Sequence, residues 1–212
     1  FFVFENMEKE KAPQRKWKIV LKTIFTMVVL FGLPAASWYF LSSGVKYRKE
    51  RLAELSDLGK VGSFKVKNQS NLPVSPEIMK GRVSVVHFLP EDQVEAKNQT
   101  AQIARLHRSF DDTEDLIFLS FLPADSTTNL LVKAKELDIK DEKQWFLLGA
   151  KKEELNVLAT NNFKIQDPAT GVALVDTSLT VRRIYNIGSS EDLNLLVEHI
   201  AMVIPKQKRR TL

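Results

Sequence analysis

The sequence predicts an α/β fold: a three-layer α/β/α sandwich around a mixed sheet, carried behind an N-terminal transmembrane helix. Three observations predict it. From Thr23 to Ser43 the chain reads "TIFTMVVLFGLPAASWYFLSS", 21 residues without a charge. Beyond that run, strand-like and helix-period segments alternate. The inner strand-like segments are apolar throughout, so they need cover on both faces, which helices supply.

At about 1.5 Å per residue the uncharged run matches a hydrocarbon core of roughly 30 Å. The span is placed at residues 19–43, behind a basic segment at 1–18. Trp17 on one side and Trp38, Tyr39 and Tyr47 on the other stand where interfacial aromatics are expected. Lys22 is placed to snorkel toward the headgroups, and Gly32 and Pro34 mark a kink of the kind that membranes tolerate. The string "LPAAS" is a poor signal-peptide cleavage site, so the segment reads as a retained anchor. Basic residues slightly outnumber those beyond the span on its N-terminal side: Lys9, Lys11, Arg15, Lys16, Lys18 and Lys22 against Lys46, Arg48, Lys49 and Arg51. That bias puts the N-terminus in the cytoplasm. The expectation is a single-pass protein of a bacterial inner membrane with its soluble domain in the periplasm. Met7 opens what reads as an ordinary basic start, and residues 1–6 are assigned no function.

After the anchor, residues 44–61 carry mixed charge and read as a helical linker. The domain is bounded at 62–204, and a basic tail occupies 205–212. "SFKVKNQSNLPVSPEIMKG" is a short alternating strand and loop. Val83 to Leu89 is the first core strand, ended by Pro90. Residues 93–110 form a helix, with Val94, Ala101, Ala104 and Phe110 apolar and Ile103 and Leu106 adding to the face. "DLIFLSFL" (115–122) is the second core strand. Residues 127–137 are a helix with Asp125 or Ser126 as N-cap, and "QWFLLG" is a third strand. "KKEELNVLATNNF" is a helix with Leu155, Leu158 and Ala159 on one side. "GVALVD" and "TVRRIYNI" form a hairpin through the turn "TSL". The last helix, 191–204, presents Leu193, Leu196, Val197, Ile200 and Ile204 at helical spacing. Gly81 and Gly149 read as isolated turn glycines.

The formal net charge of +5 flanks the membrane segment and the C-terminal end rather than forming a basic face interleaved with aromatics. Nucleic acid is therefore excluded as a partner. The chain has no cysteine, which excludes disulfides, thiolate nucleophiles, cysteine-based zinc sites and iron–sulfur clusters.

Among single residues, His87 is the sharpest candidate, because it ends a buried strand. A metal role needs partners, and only Met79, His107, Glu91 and Asp92 are near in sequence, without ligand spacing. The reading is a partly buried, backbone-bonded histidine. His107 reads as a solvated helix residue, and His199 as lying near a helix C-terminus where positive charge is favoured. Glu91/Asp92, Asp111/Asp112 and Glu153/Glu154 are adjacent pairs that do not converge on one point. Ser120 and Ser126 lack a base. The triplets "NQS" (68–70) and "NQT" (98–100) match the glycosylation pattern, which arises often by chance. The tail reads as solvated.

Four stretches resemble the Sco/SenC branch of copper-handling proteins with the thioredoxin fold. "GRVSVVHFLP" looks like that family's first core strand. In "WFLLGAKKEELNVLATNNFKI", Trp145, Leu148, Gly149, Glu153, Glu154, Leu155, Ala159 and Phe163 fall in step with a family stretch. "ALVDTSLTVRRIY" resembles its hairpin, and an anchor before a soluble domain is its usual layout. The resemblance covers about residues 62–204 and implies a thioredoxin-like domain. The family holds copper, or exchanges thiols, through a Cys-x-x-x-Cys pair and a histidine. Those ligand positions fall near Gln93, Lys97 and Pro168. An amide, an ammonium and a proline reproduce neither a Cu(I) site nor thiol–disulfide exchange. The resemblance therefore implies the scaffold without its chemistry. The expected function is a non-catalytic, cofactor-free structural or assembly subunit. Its expected partners are the lipid bilayer and other membrane-protein subunits, with a cytochrome oxidase or respiratory supercomplex first to test. The alternative is a metallochaperone with a cysteine-free site near His87.

Overall fold

Residues 14–111 and 113–205 are described by the computed structural model. The basic residues before position 14, Asp112 and the tail from 206 lie outside the described residues. The chain divides into two units, Phe1–Glu50 and Arg51–Leu212.

In the first unit α1 (Gln14–Met27) runs into a π-helical turn (Val28–Gly32) and on into α2 (Leu33–Ala53). The helix is thus unbroken at Pro34. Proline has no N–H and crowds the carbonyl four residues back, here Leu30, and the wider π turn holds that residue. Thr23 Oγ1 donates to Ile19 O (3.0 Å), Thr26 Oγ1 to Lys22 O (2.9 Å) and Ser42 Oγ to Tyr39 O (3.0 Å). These hydroxyls are satisfied without leaving the helix, as a lipid environment requires. Among the described residues, Trp17–Ala53 is the one helix long and apolar enough to cross a membrane.

The second unit is built on a seven-stranded sheet of order β2-β1-β5-β4-β3-β6-β7. Its strands are β1 (Val66–Asn68), β2 (Pro73–Val74), β3 (Val83–Phe88), β4 (Leu116–Pro123), β5 (Trp145–Ala150), β6 (Gly171–Val175) and β7 (Val181–Asn186). The central β3, β4 and β5 are parallel, and the other pairings are antiparallel. Strand alternation sends Val83, Val85, Phe118, Trp145 and Leu147 to one face. There they meet α3 (Gln93–Arg108), α4 (Leu130–Glu136) and α6 (Ser190–Val203). The opposite face packs Val86, Phe88, Ile117, Leu119 and Phe121 against α5 (Lys152–Val157), the π turn that extends it (Leu158–Asn162) and Phe163. Phe88 and Phe121 stack at 4.8 Å, and Phe163 lies 5.6 Å from Phe121. Burying each ring contributes about 1.5–3 kcal/mol.

Three local expectations change. The segment after the anchor is helical only to Ala53. It then runs extended along β7: Ser56 N donates to Arg182 O (2.9 Å), Leu58 N to Val181 O (3.0 Å), and Val181 N to Gly59 O (3.0 Å). Leu55 and Val61 are buried in the core, so this stretch gains more as an added edge than as a free helix. The helix expected at 127–137 begins at Leu130, capped by Asn129 Oδ1, which accepts from Leu131 N and Val132 N. Asp125 instead closes a turn onto Thr127 N, Thr127 Oγ1 and Thr128 Oγ1. Those hydrogen bonds, the Thr127 hydroxyl above all, hold its carboxyl down at about 2. Gly149 is a strand residue of β5, where an added Cβ would lie 2.9 Å from both Leu130 Cδ atoms and 3.0 Å from Ala124 Cβ. It lets α4 approach the sheet.

Candidate functional site

The junction that the sequence singled out lies where β3 ends. Leu89 N donates to Phe121 O (2.7 Å), Pro90 stops further pairing, and Asp92 caps α3 by accepting from Glu95 N (2.8 Å). Gln93 is the first residue of α3 and Lys97 stands one turn on, and both are exposed. They border a cleft of about 130 Å³ floored by Ala96, Leu122 and Leu137. Pro168 sits in the turn before β6. Gln99, buried on α3, donates from Nε2 to Ala169 O at 2.8 Å, so α3 is tied to that turn. Glu91 reaches over to Lys152 of α5 at 3.0 Å. Both partners are more than half exposed, so that pair contributes little.

His87 stands under α3, on the face shared by Val85 and Leu89. It is 2% exposed. Its Nε2 lies 3.5 Å from Ser120 Oγ, which accepts from Trp145 Nε1 at 2.7 Å. Burial pushes the imidazole down to about 4, so it is neutral at pH 7. The histidine expected to be partly buried and backbone-bonded is therefore enclosed and side-chain-bonded. Ser120, expected to lack a base, has this imidazole beside it. With both groups sealed in the core, the pair closes a polar gap between strands rather than facing a substrate.

The other two histidines also depart from expectation. His107 is 14% exposed at its side chain and bonds Asp141 Oδ2 through Nε2 at 3.1 Å. Its ring stands 5.5 Å from both Phe118 and Trp145. Burial alone would raise the Asp141 carboxyl, but hydrogen bonds from Lys143 N, His107 and Gln144 N outweigh it and hold it low. His199 is fully buried. Its Nε2 bonds Arg51 O (2.9 Å), which leaves Nδ1 to accept from Tyr185 Oη (2.7 Å). Burial lowers its pKa, so it is neutral rather than a cation at a helix end. Beside it Arg51 binds Glu54 at 2.8 Å and Glu198 at 3.4 Å, and Arg183 binds Glu54 at 2.7 Å. Sequence reasoning missed Gln99, Asp141 and Tyr185, because their partners lie 70, 34 and 14 residues away.

The two glycosylation triplets differ: Asn68 and Thr100 are buried, while Asn98 is exposed on α3. Asn68 Oδ1 accepts from Ser70 N and Leu72 N, and Thr100 Oγ1 is turned back to Ala96 O inside α3.

Solved structures of similar shape identify the architecture. A SCO1/SenC family lipoprotein from Bacillus anthracis str. Ames aligns with a TM-score of 0.58 at 22% identity, over 69% of this chain and 95% of its own. BsSco, a member of the Sco family of cytochrome c oxidase assembly proteins, gives 0.56 at 20% identity, over 68% and 92%. Copper-bound yeast Sco1 gives 0.52 at 13% identity, over 73% and 100%. The fold is thioredoxin-like, and these neighbours are Sco/SenC proteins. This chain, without a cysteine, lacks the Cys-x-x-x-Cys motif. No protein-family model and no curated protein matches it.

Proposed function

We propose that this chain is a membrane-anchored, non-catalytic Sco-like protein that serves as a structural or assembly subunit of a membrane complex. One observation carries the reading: the thioredoxin-like scaffold is present in a chain without a single cysteine, and the family's ligand positions are taken to fall near Gln93, Lys97 and Pro168. Thiol–disulfide exchange requires a thiolate, and Cu(I) selects soft sulfur with imidazole. His87 does not substitute. It is enclosed, and among the described residues no three His, Cys, Asp or Glu side chains converge as a metal site.

A fold shared with BsSco, of a family of cytochrome c oxidase assembly proteins, makes a respiratory oxidase or a supercomplex containing one the first partner to test. The proposed setting is the bacterial inner membrane, with the N-terminus cytoplasmic and the domain periplasmic. Trp17, Lys22, Trp38, Tyr39 and Tyr47 would mark the two interfaces. Support comes from the exposure of those aromatics and the excess of basic residues before the span. Affinity purification of the full chain in mild detergent tests the function. Co-purification of haem- and copper-containing subunits is expected. Recovery as a free monomer, under conditions that leave the respiratory complexes intact, would overturn it.

A further inference from the structure

We infer that the juxtamembrane face of α2 is a binding site for an anionic phospholipid headgroup, with Lys46 and Lys49 as its phosphate ligands. The inference rests on reading α1–α2 as a bilayer span and adds a ligand to it.

Trp38, Leu41, Ser42, Val45, Lys46 and Lys49 line one groove of about 420 Å³ along α2. Their spacing of three and four residues places them on a single helix face. The face changes character along its length. Trp38, Leu41 and Val45 are 74%, 66% and 50% exposed, and the two ammonium groups follow. Uncharged sequence ends at Ser43, so Lys46 stands about 4.5 Å, and Lys49 about 9 Å, beyond the apolar run. The headgroup layer on each side of a bilayer is roughly 5–7 Å thick. Lys46 is therefore at phosphate depth, and Lys49 reaches it by bending its stem back. An acyl chain would lie along Leu41 and Val45 with its phosphate between the two lysines.

The local charge favours an anion. The carboxylate facing this pair is Glu50, 3.8 Å from Lys46, with side chains 63% and 79% exposed respectively. That pair is weak and gives way to a phosphate. Arg48, about 7.5 Å beyond the apolar run and on another side of the helix, adds a third cation to the headgroup layer. A zwitterionic lipid brings its own ammonium, so the face discriminates by headgroup charge.

The test uses the full chain reconstituted in phosphatidylcholine vesicles carrying either spin-labelled phosphatidylglycerol or spin-labelled phosphatidylcholine. The protein-bound fraction of each label is read by electron spin resonance. Wild type is expected to prefer phosphatidylglycerol by roughly five-fold at low salt. Most of that preference should vanish near 1 M salt, where the screening length is about 3 Å. Lys46→Gln/Lys49→Gln should lose most of it, and Lys18→Gln/Lys22→Gln, at the other end of the span, should retain it. An unchanged preference in Lys46→Gln/Lys49→Gln overturns the site. So does a chain that stays in the bilayer with no preference, which would leave an acidic protein segment as the occupant of this face. Release of the chain from vesicles by alkaline carbonate would refute the anchor itself, separately from the headgroup measurement.

Discussion

Acid should destabilise the folded domain through His87, by an amount that follows from its burial. In an unfolded chain the imidazole titrates near 6.5, and in the fold it is held down to about 4. Between those values the unfolded state takes up a proton that the folded state refuses. The stability is therefore fully present above pH 6.5 and is lost as pH falls toward 4. A gap of about 2.5 pH units is worth roughly 3 kcal/mol, of which about 2 kcal/mol falls between pH 7 and pH 5. At a urea dependence of about 1–3 kcal/mol per molar, the midpoint moves by on the order of 1 M. The comparison is His87→Leu, which cannot titrate. The Ser120 hydroxyl loses a partner in that variant, but equally at every pH. Other titrating groups, His199 among them, are common to both proteins and cancel in the difference. The assay is urea unfolding of the full chain in detergent at pH 7 and pH 5, with Trp17 and Trp38 replaced by Phe so that buried Trp145 reports. The advantage of wild type over His87→Leu should shrink by about 2 kcal/mol on acidification. Equal pH slopes in the two proteins would refute the argument from desolvation.

Two further perturbations probe the region beside α3. In Gly171→Ala the new Cβ would lie 2.4 Å from Ile165 Cγ2 and 2.8 Å from Asp167 O. Because backbone cannot yield as a flexible side chain does, a loss of about 1–3 kcal/mol is expected in the same unfolding assay. In Gln99→Leu the buried bond to Ala169 O disappears, at a cost of about 1–3 kcal/mol. Faster amide exchange at Thr170 and Gly171, whose N–H groups both bond Asp167 O, would report loosening of that turn, and unchanged exchange would contradict it.

The parts of the fold legible in the sequence were those set by local pattern. The uncharged run, the apolar β3, β4 and β5, and the hairpin of β6 and β7 announce themselves through length and period. Choices between neighbouring groups were not legible. Asp125 and Asn129 are both competent caps, and only the turn that Asp125 makes with Thr127 and Thr128 decides which one starts α4. Gln99 looked like the middle of an "NQT" triplet, since nothing local says that its amide crosses to Ala169. His107, His87 and His199 share a residue type but differ in what the sheet and helices bring to them. The lowered pKa values of His87 and His199 follow from burial that fold topology alone produces.

The stretch from Ser56 to Val61 has a consequence for recognition. It occupies the hydrogen-bonding edge of β7, and its own course is kinked at Gly59, with φ of +114°. At the opposite border β2 is two residues long and begins with Pro73, which has no N–H to offer. With the end of β7 at Val181 and Arg182 taken and β2 short and proline-led, neither stretch offers an incoming peptide a long template for strand addition. At these two stretches a partner would have to read side chains, so specificity there would be written in surface residues rather than in backbone pairing.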